Sequence, residues 1–347
     1  MSRLNSSPVV SGMPTGSSPA HASHARVMSS DTSLIVLRFI PWIGLGIGAL
    51  LALLAPGVTR ELDWLPFLGS LFILGMPHGA MDWFVQNRLG DHHGLSAQFR
   101  AFLPYLAWMG VSITALVLLP VLTVAAFMLL TVIHFGTADL LACRHGGDST
   151  LRRTLFIVGR GCIILGPLFA FHPEAAWKPF GLLIGSFPVS ALFLEQVSMV
   201  GTICLVIGVA ATTLSLITTA LREPRLAALD LIESGLILAL ASLAAPLFAI
   251  GLFFLTTHAY RHSVRLVSKP FESGTGAQST PLWSRLVQMH ARCLPLLVPT
   301  FAILVLWSLI QFGTITPYLF VVVSIGFFII STLPHHLLGL RLPRYRP

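Results

Sequence analysis

Four short stretches place histidine inside otherwise apolar runs: Gly75-Met76-Pro77-His78-Gly79-Ala80-Met81-Asp82, His134-Phe135-Gly136-Thr137-Ala138-Asp139, His258-Ala259-Tyr260-Arg261-His262 and Pro334-His335-His336. Neutral imidazole is the commonest side-chain ligand for transition metals, and polar side chains are costly in hydrocarbon. One such histidine alone is more often a hydrogen-bonded packing residue. Several at one level favour a metal site, and His78, His134, His258 and His262 are the candidate ligands. Four neutral imidazoles leave a divalent ion fully charged and can leave coordination positions vacant, which suits dioxygen binding at ferrous iron. Tetrahedral zinc held by four histidines would be closed and structural, and the spacing leaves that alternative open.

The elements that must position these residues are membrane helices. The chain has 347 residues, 55% hydrophobic and 10% charged, with a mean hydropathy of +0.83; soluble domains carry about a quarter charged residues. Apolar stretches of about 20 residues separated by short polar links predict an all-α, polytopic transmembrane bundle of eight to ten spans, ten preferred. The spans run roughly 34–56, 64–87, 101–119, 121–142, 153–172, 196–219, 228–245, 246–266, 293–312 and 315–338, by hydrophobic patterning. Pro120 and Pro246 each divide a long apolar run, because proline is tolerated at a first helical turn. A kinked helix is the rival there.

With a cytoplasmic N-terminus, the links after even-numbered spans carry Arg88, Arg100, Arg144, Arg152, Arg153, Arg222, Arg225, Arg265, Lys269, Arg285, Arg292, Arg341, Arg344 and Arg346, whereas the opposite links carry Arg60 and Lys178. That asymmetry predicts a multi-pass protein of the inner (cytoplasmic) membrane with both termini cytoplasmic. Residues 1–33, rich in Ser, Pro, Gly and His, read as a disordered cytoplasmic tail, 34–340 as one transmembrane oxygenase domain and 341–347 as a basic cytoplasmic tail. The net charge of +8 is spread between apolar segments, which argues against a nucleic-acid partner. Cys143, Cys162, Cys204 and Cys293 are scattered singly and form no metal or disulfide pattern. Gly44, Gly46 and Gly48 read as close helix packing.

Depth links the histidines. His78, His134 and His258 each fall about 12 to 14 residues, roughly 18 to 21 Å, from the outer end of their spans. His262, at i+4 from His258, shares its helix face. His335 and His336 sit nearer the inner surface, as ligands or as outer partners of the site. Asp82, at i+4 from His78, is placed to accept its other ring N–H and fix its tautomer. Asp139 is rotated from His134 by about 140° and is a weaker partner. His92, His93, His145, His172 and His290 read as incidental loop residues. Trp83, Phe135, Phe253, Phe254 and Tyr260 are candidate walls of a substrate tunnel, although aromatics at helical spacing are more often plain packing.

The Pro-His-Gly-Ala-x-Asp stretch at 77–82, the His-Phe-Gly at 134–136, the histidines at 258 and 262 and the Pro-His-His at 334–336 resemble the Brp/Blh family of bacterial and archaeal membrane proteins. These are the β-carotene 15,15'-dioxygenases associated with retinal supply to rhodopsins. The resemblance covers roughly residues 35–340. It implies cleavage of the central double bond of β-carotene with O2 to two molecules of retinal, with Fe(2+) held by His78, His134, His258 and His262, and a rhodopsin as recipient of the product. The N-terminal tail and the mixed stretch at about 174–200 lie outside the family pattern.

Other classes match less well. Di-iron desaturases and hydroxylases need HxxHH boxes, and this chain has one HxxxH and no HxxHH. A transporter using intramembrane histidines would be marked by acidic residues at mid-membrane, and Asp230 and Glu233 lie near the start of their span. Two histidines on one face, His258 and His262, cannot sandwich a haem.

Overall fold

The computed structural model describes residues 35–90, 92–144, 149–267 and 281–341, and the described residues form helices with no strand. The tail expected at 1–33, His145 and residues 342–347 lie outside the described residues. The helices are α1 (Ile35–Leu54), α2 (Pro56–Glu61), α3 (Trp64–Leu89), α4 (Leu95–Leu118), α5 (Pro120–Cys143), α6 (Thr150–Phe171), α7 (Pro173–Leu183), α8 (Ala191–Ala220), α9 (Pro224–Leu243), α10 (residues 246–267), α11 (Leu282–Phe312) and α12 (Pro317–Gly339).

Proline sets many of the starts. Pro120, Pro173, Pro224, Pro246 and Pro317 each open a helix, where a missing N–H costs nothing. The apolar runs around Pro120 and Pro246 are therefore broken into separate helices. Ser149, Ser190 and Thr316 cap α6, α8 and α12 by accepting the backbone N–H of Arg152, Phe193 and Leu319.

Among the described residues, nine helices (α1, α3 to α6, α8, α9, α11 and α12) are long and apolar enough to cross a membrane. They correspond to nine of the ten predicted spans. The predicted eighth span is α10, whose last segment, Ala259–Val267, carries Arg261, His262 and Arg265 and is not among the nine. The mixed stretch at 174–200 contains the short α7, with Trp177, Phe180 and Leu183 packed into the core.

The outside of the bundle is apolar. α4 buries none of its residues, and Val111, Val117, Val206, Val298 and Ile310 are all exposed. Such a surface suits lipid contact. Inside, α5 and α6 cross at small residues. A Cβ on Gly136 would lie 2.6 Å from the Ile157 Cα, and one on Gly161 would lie 2.6 Å from the Val132 Cα. Both positions thus require glycine. Gly44 and Gly48 of α1 likewise pack against Thr256 and Leu252 of α10.

The start of α1, the end of α5 and the start of α9 meet. Arg38 reaches the carbonyl of Cys143 at 3.4 Å and Asp230 at 2.8 Å, and Arg144 reaches Asp230 at 2.6 Å. Those three ends share one side of the bundle in the ten-crossing count as well.

Candidate active site

Local backbone irregularity places the first and third histidines. α3 contains a π turn at Leu71–Gly75, directly before Pro77 and His78, and α10 contains one at Phe254–His258. Such turns are rare and concentrate at functional sites. The two face each other, with the Phe254 ring over Gly75, where a Cβ would lie 2.7 Å from the ring. Pro77 has no N–H for the carbonyl of Ile73. His290 of α11 hydrogen-bonds that carbonyl through Nε2, and Cys293 donates to the Pro77 carbonyl at 3.2 Å. His290 therefore lies within a helix, where it braces the π turn beside His78; the sequence placed it in a loop.

The ring nitrogens define what each histidine can do. His78 Nδ1–H donates to the Leu74 carbonyl at 2.8 Å, so in the neutral ring Nε2 keeps its lone pair. The expected His78–Asp82 pair does not form. Instead Asp82 Oδ2 accepts from His335 Nδ1 at 2.7 Å and from the Tyr105 hydroxyl at 2.7 Å. His134 and His336 share a hydrogen bond between their Nδ1 atoms at 3.1 Å, and His134 Nε2 lies 3.2 Å from His258 Nε2.

All four predicted ligands come together, and His335 joins them. Ring centroids lie 5.8 Å apart for His78–His258, 5.1 Å for His78–His262, 4.7 Å for His134–His258 and 6.3 Å for His258–His262. His335 stands 5.2 Å from His78, 5.3 Å from His134 and 5.1 Å from His262. These five side chains are buried, yet His258 Nδ1, both nitrogens of His262 and His335 Nε2 have no hydrogen-bond partner. Buried polar atoms without partners are rare in folded proteins and call for an explanation.

A metal ion fits this donor set chemically. Two imidazoles on one ion at about 2.0–2.1 Å place their nitrogens about 2.9–3.4 Å apart, and the His134–His258 pair falls in that range at 3.2 Å. Among the described residues, no three His, Cys, Asp or Glu side chains are close enough to hold an ion as they stand. The orphaned nitrogens of His258, His262 and His335 are candidate donors beside that pair.

Beside the histidines is a buried ion cluster that the sequence did not predict. Arg261, between His258 and His262, donates to Glu233 at 2.7 and 2.9 Å, to Asp139 at 2.9 Å and to the Leu37 carbonyl at 2.9 Å. Arg160 approaches Glu233 at 3.2 Å and Asp139 at 3.4 Å. Arg38 and Arg144 hold Asp230, and Trp42 donates to Glu233 at 3.0 Å. Asp139 thus helps hold the helix that carries His258 and His262. The signal was Arg38, Arg160 and Arg261 inside apolar spans, which a positive-inside reading leaves unexplained.

A cavity of about 450 Å³ opens onto His78, His134, His258 and His335, with otherwise almost wholly apolar walls. Trp83, Phe135 and Phe254 line it. Phe253 is fully buried in the packing core, and Tyr260 packs near Leu37 and Val264, so neither reaches the cavity. A volume of that order suits an organic ligand, and the apolar walls favour a hydrocarbon one.

A sequence model of the family described as beta-carotene 15,15'-dioxygenase matches residues 70–342. A curated relative, the probable beta-carotene 15,15'-dioxygenase Blh of Halobacterium salinarum, is 25% identical, and the match covers 73% of this chain and 76% of the relative. No solved structure matches.

Proposed function

Because the chain belongs to the beta-carotene 15,15'-dioxygenase family, we propose that it cleaves the central 15,15' double bond of β-carotene with O2, at a ferrous ion held by His78, His134, His258 and His262. The C=C bond breaks and each of its carbons takes one oxygen atom, giving two retinal molecules with no proton to place. The observation that carries this reading is the cluster of buried imidazoles, some with partnerless nitrogens, of which His78, His134 and His258 line an apolar cavity. Ferrous iron, when bound, supplies the electrons through which triplet O2 reacts with a closed-shell polyene.

The chain's own residues prepare the site. The Leu74 carbonyl holds the His78 proton on Nδ1 and turns Nε2 outward. Phe135 and Phe254 flank His258, with centroids 4.7 and 5.1 Å away, and offer apolar faces to a conjugated chain. The apolar lining excludes water from reactive oxygen species. Arg261, Glu233 and Asp139 tie α10 to α9 and α5, which fixes the spacing between the His134 and His258 helices. The lipid bilayer delivers both O2 and the carotenoid.

We also place the protein in the cytoplasmic membrane with both termini inside, from its basic links, and a rhodopsin is the fitting recipient of its product. Expression in cells that accumulate β-carotene tests the proposal. Colour should fade and retinal should appear by chromatography. Undiminished colour with correctly inserted protein would overturn it, and an aldehyde of another length would overturn central cleavage.

A further inference from the structure

We propose that His335, held in place by Asp82 and Tyr105, is a fifth imidazole ligand of the metal centre; this rests on the metal-centre reading above. Position is the first argument. His335 contacts the rings of His78, His134 and His262, the same three rings that His258 contacts. Its distances to that trio, 5.1–5.3 Å, are comparable to those of His258, 4.7–6.3 Å.

Protonation is the second. His335 Nδ1–H is committed to Asp82 Oδ2 at 2.7 Å, and the Tyr105 hydroxyl fixes the same oxygen at 2.7 Å. The neutral ring therefore presents a lone pair on Nε2, which is buried, partnerless and next to the cavity. A carboxylate on the far nitrogen of a ligating imidazole orients the ring and raises its basicity. A buried orphan costs stability, so a ligand on Nε2 would satisfy this ring.

His336 differs. It is half-buried, does not line the cavity and hydrogen-bonds His134 through Nδ1. It thus orients His134, much as Asp82 orients His335. Five imidazole donors would leave one position of a six-coordinate ion for a small molecule from the cavity.

The test is anaerobic titration of chelator-stripped, detergent-purified protein with Fe(II), and separately with Co(II), whose visible absorption reports coordination number. Relative to wild type, His335→Ala should weaken Fe(II) binding by more than about 100-fold and alter the Co(II) band intensities. Asp82→Asn should weaken it by about 10- to 100-fold, Tyr105→Phe by less, and His92→Ala not at all. Unchanged Fe(II) affinity and an unchanged Co(II) spectrum in His335→Ala would overturn the assignment. Should that variant fail to fold, unchanged affinity in both Asp82→Asn and Tyr105→Phe would do the same. Wild-type protein that takes up neither metal would overturn the metal centre itself, an outcome distinct from loss of His335 alone.

Discussion

Two polar clusters lie side by side in this bundle, sharing α5 and α10, and they are built oppositely. In the arginine–carboxylate cluster, Asp139, Asp230 and Glu233 each meet at least two guanidiniums. In the histidine cluster, four imidazole nitrogens meet nothing. Both are costly to bury in an apolar environment. The first offsets its cost internally, and the second leaves nitrogens without partners. The contrast separates a clamp from a candidate binding site. It also answers the transporter alternative, because no carboxylate of the clamp is left without a guanidinium.

The clamp should be where stability resides. Glu233→Ala leaves Arg38, Arg160 and Arg261 around an empty buried site and should cost about 3–5 kcal/mol, seen as a sharply lower melting temperature in detergent. Unchanged melting would erase the contrast. The histidine cluster should instead gain stability from its ligand. Fe(II) at a hundredfold excess over Kd should stabilise wild type by about 2.7 kcal/mol, and thermal melts with and without Fe(II) should show no such gain in His262→Leu.

Without metal the sign reverses. His262 is buried with both ring nitrogens unpartnered, so metal-free His262→Leu should melt no lower than metal-free wild type and could rise by about 1–3 kcal/mol, while retinal formation is lost. A large drop would show that His262 belongs to the clamp. The smallest effect concerns the cavity wall. Ala176→Phe fills cavity space from α7, which carries none of the clustered histidines; it should lower turnover of β-carotene several-fold, equivalent to about 1 kcal/mol, with iron content unchanged. Loss of iron in that variant would show that wall and centre are not separable.

The difference between the clusters also explains what the sequence disclosed. His78, His134, His258 and His262 stood out because matching depth on apolar helices is a local property, countable from helix ends. The clamp did not, because Arg38 and Glu233 are 195 residues apart and Arg261 and Asp139 are 122 apart, and periodicity carries no information about such pairings. Asp82 was matched to His78 by helical spacing alone. The freed geometry around Pro77 gave His78 a backbone carbonyl and left the carboxylate to α12. Phe253 and Tyr260 were chosen for sequence proximity, and their helix faces turn them away from the cavity that Phe254 lines. The π turns that set these faces have no sequence marker beyond the neighbouring proline at 77.

The most direct test of the central claim is retinal formation by chelator-stripped, purified protein supplied with β-carotene and O2 while Fe(II) is titrated in. The account predicts no retinal without iron and activity that saturates at about one iron per chain. Undiminished retinal formation by the stripped protein would contradict it.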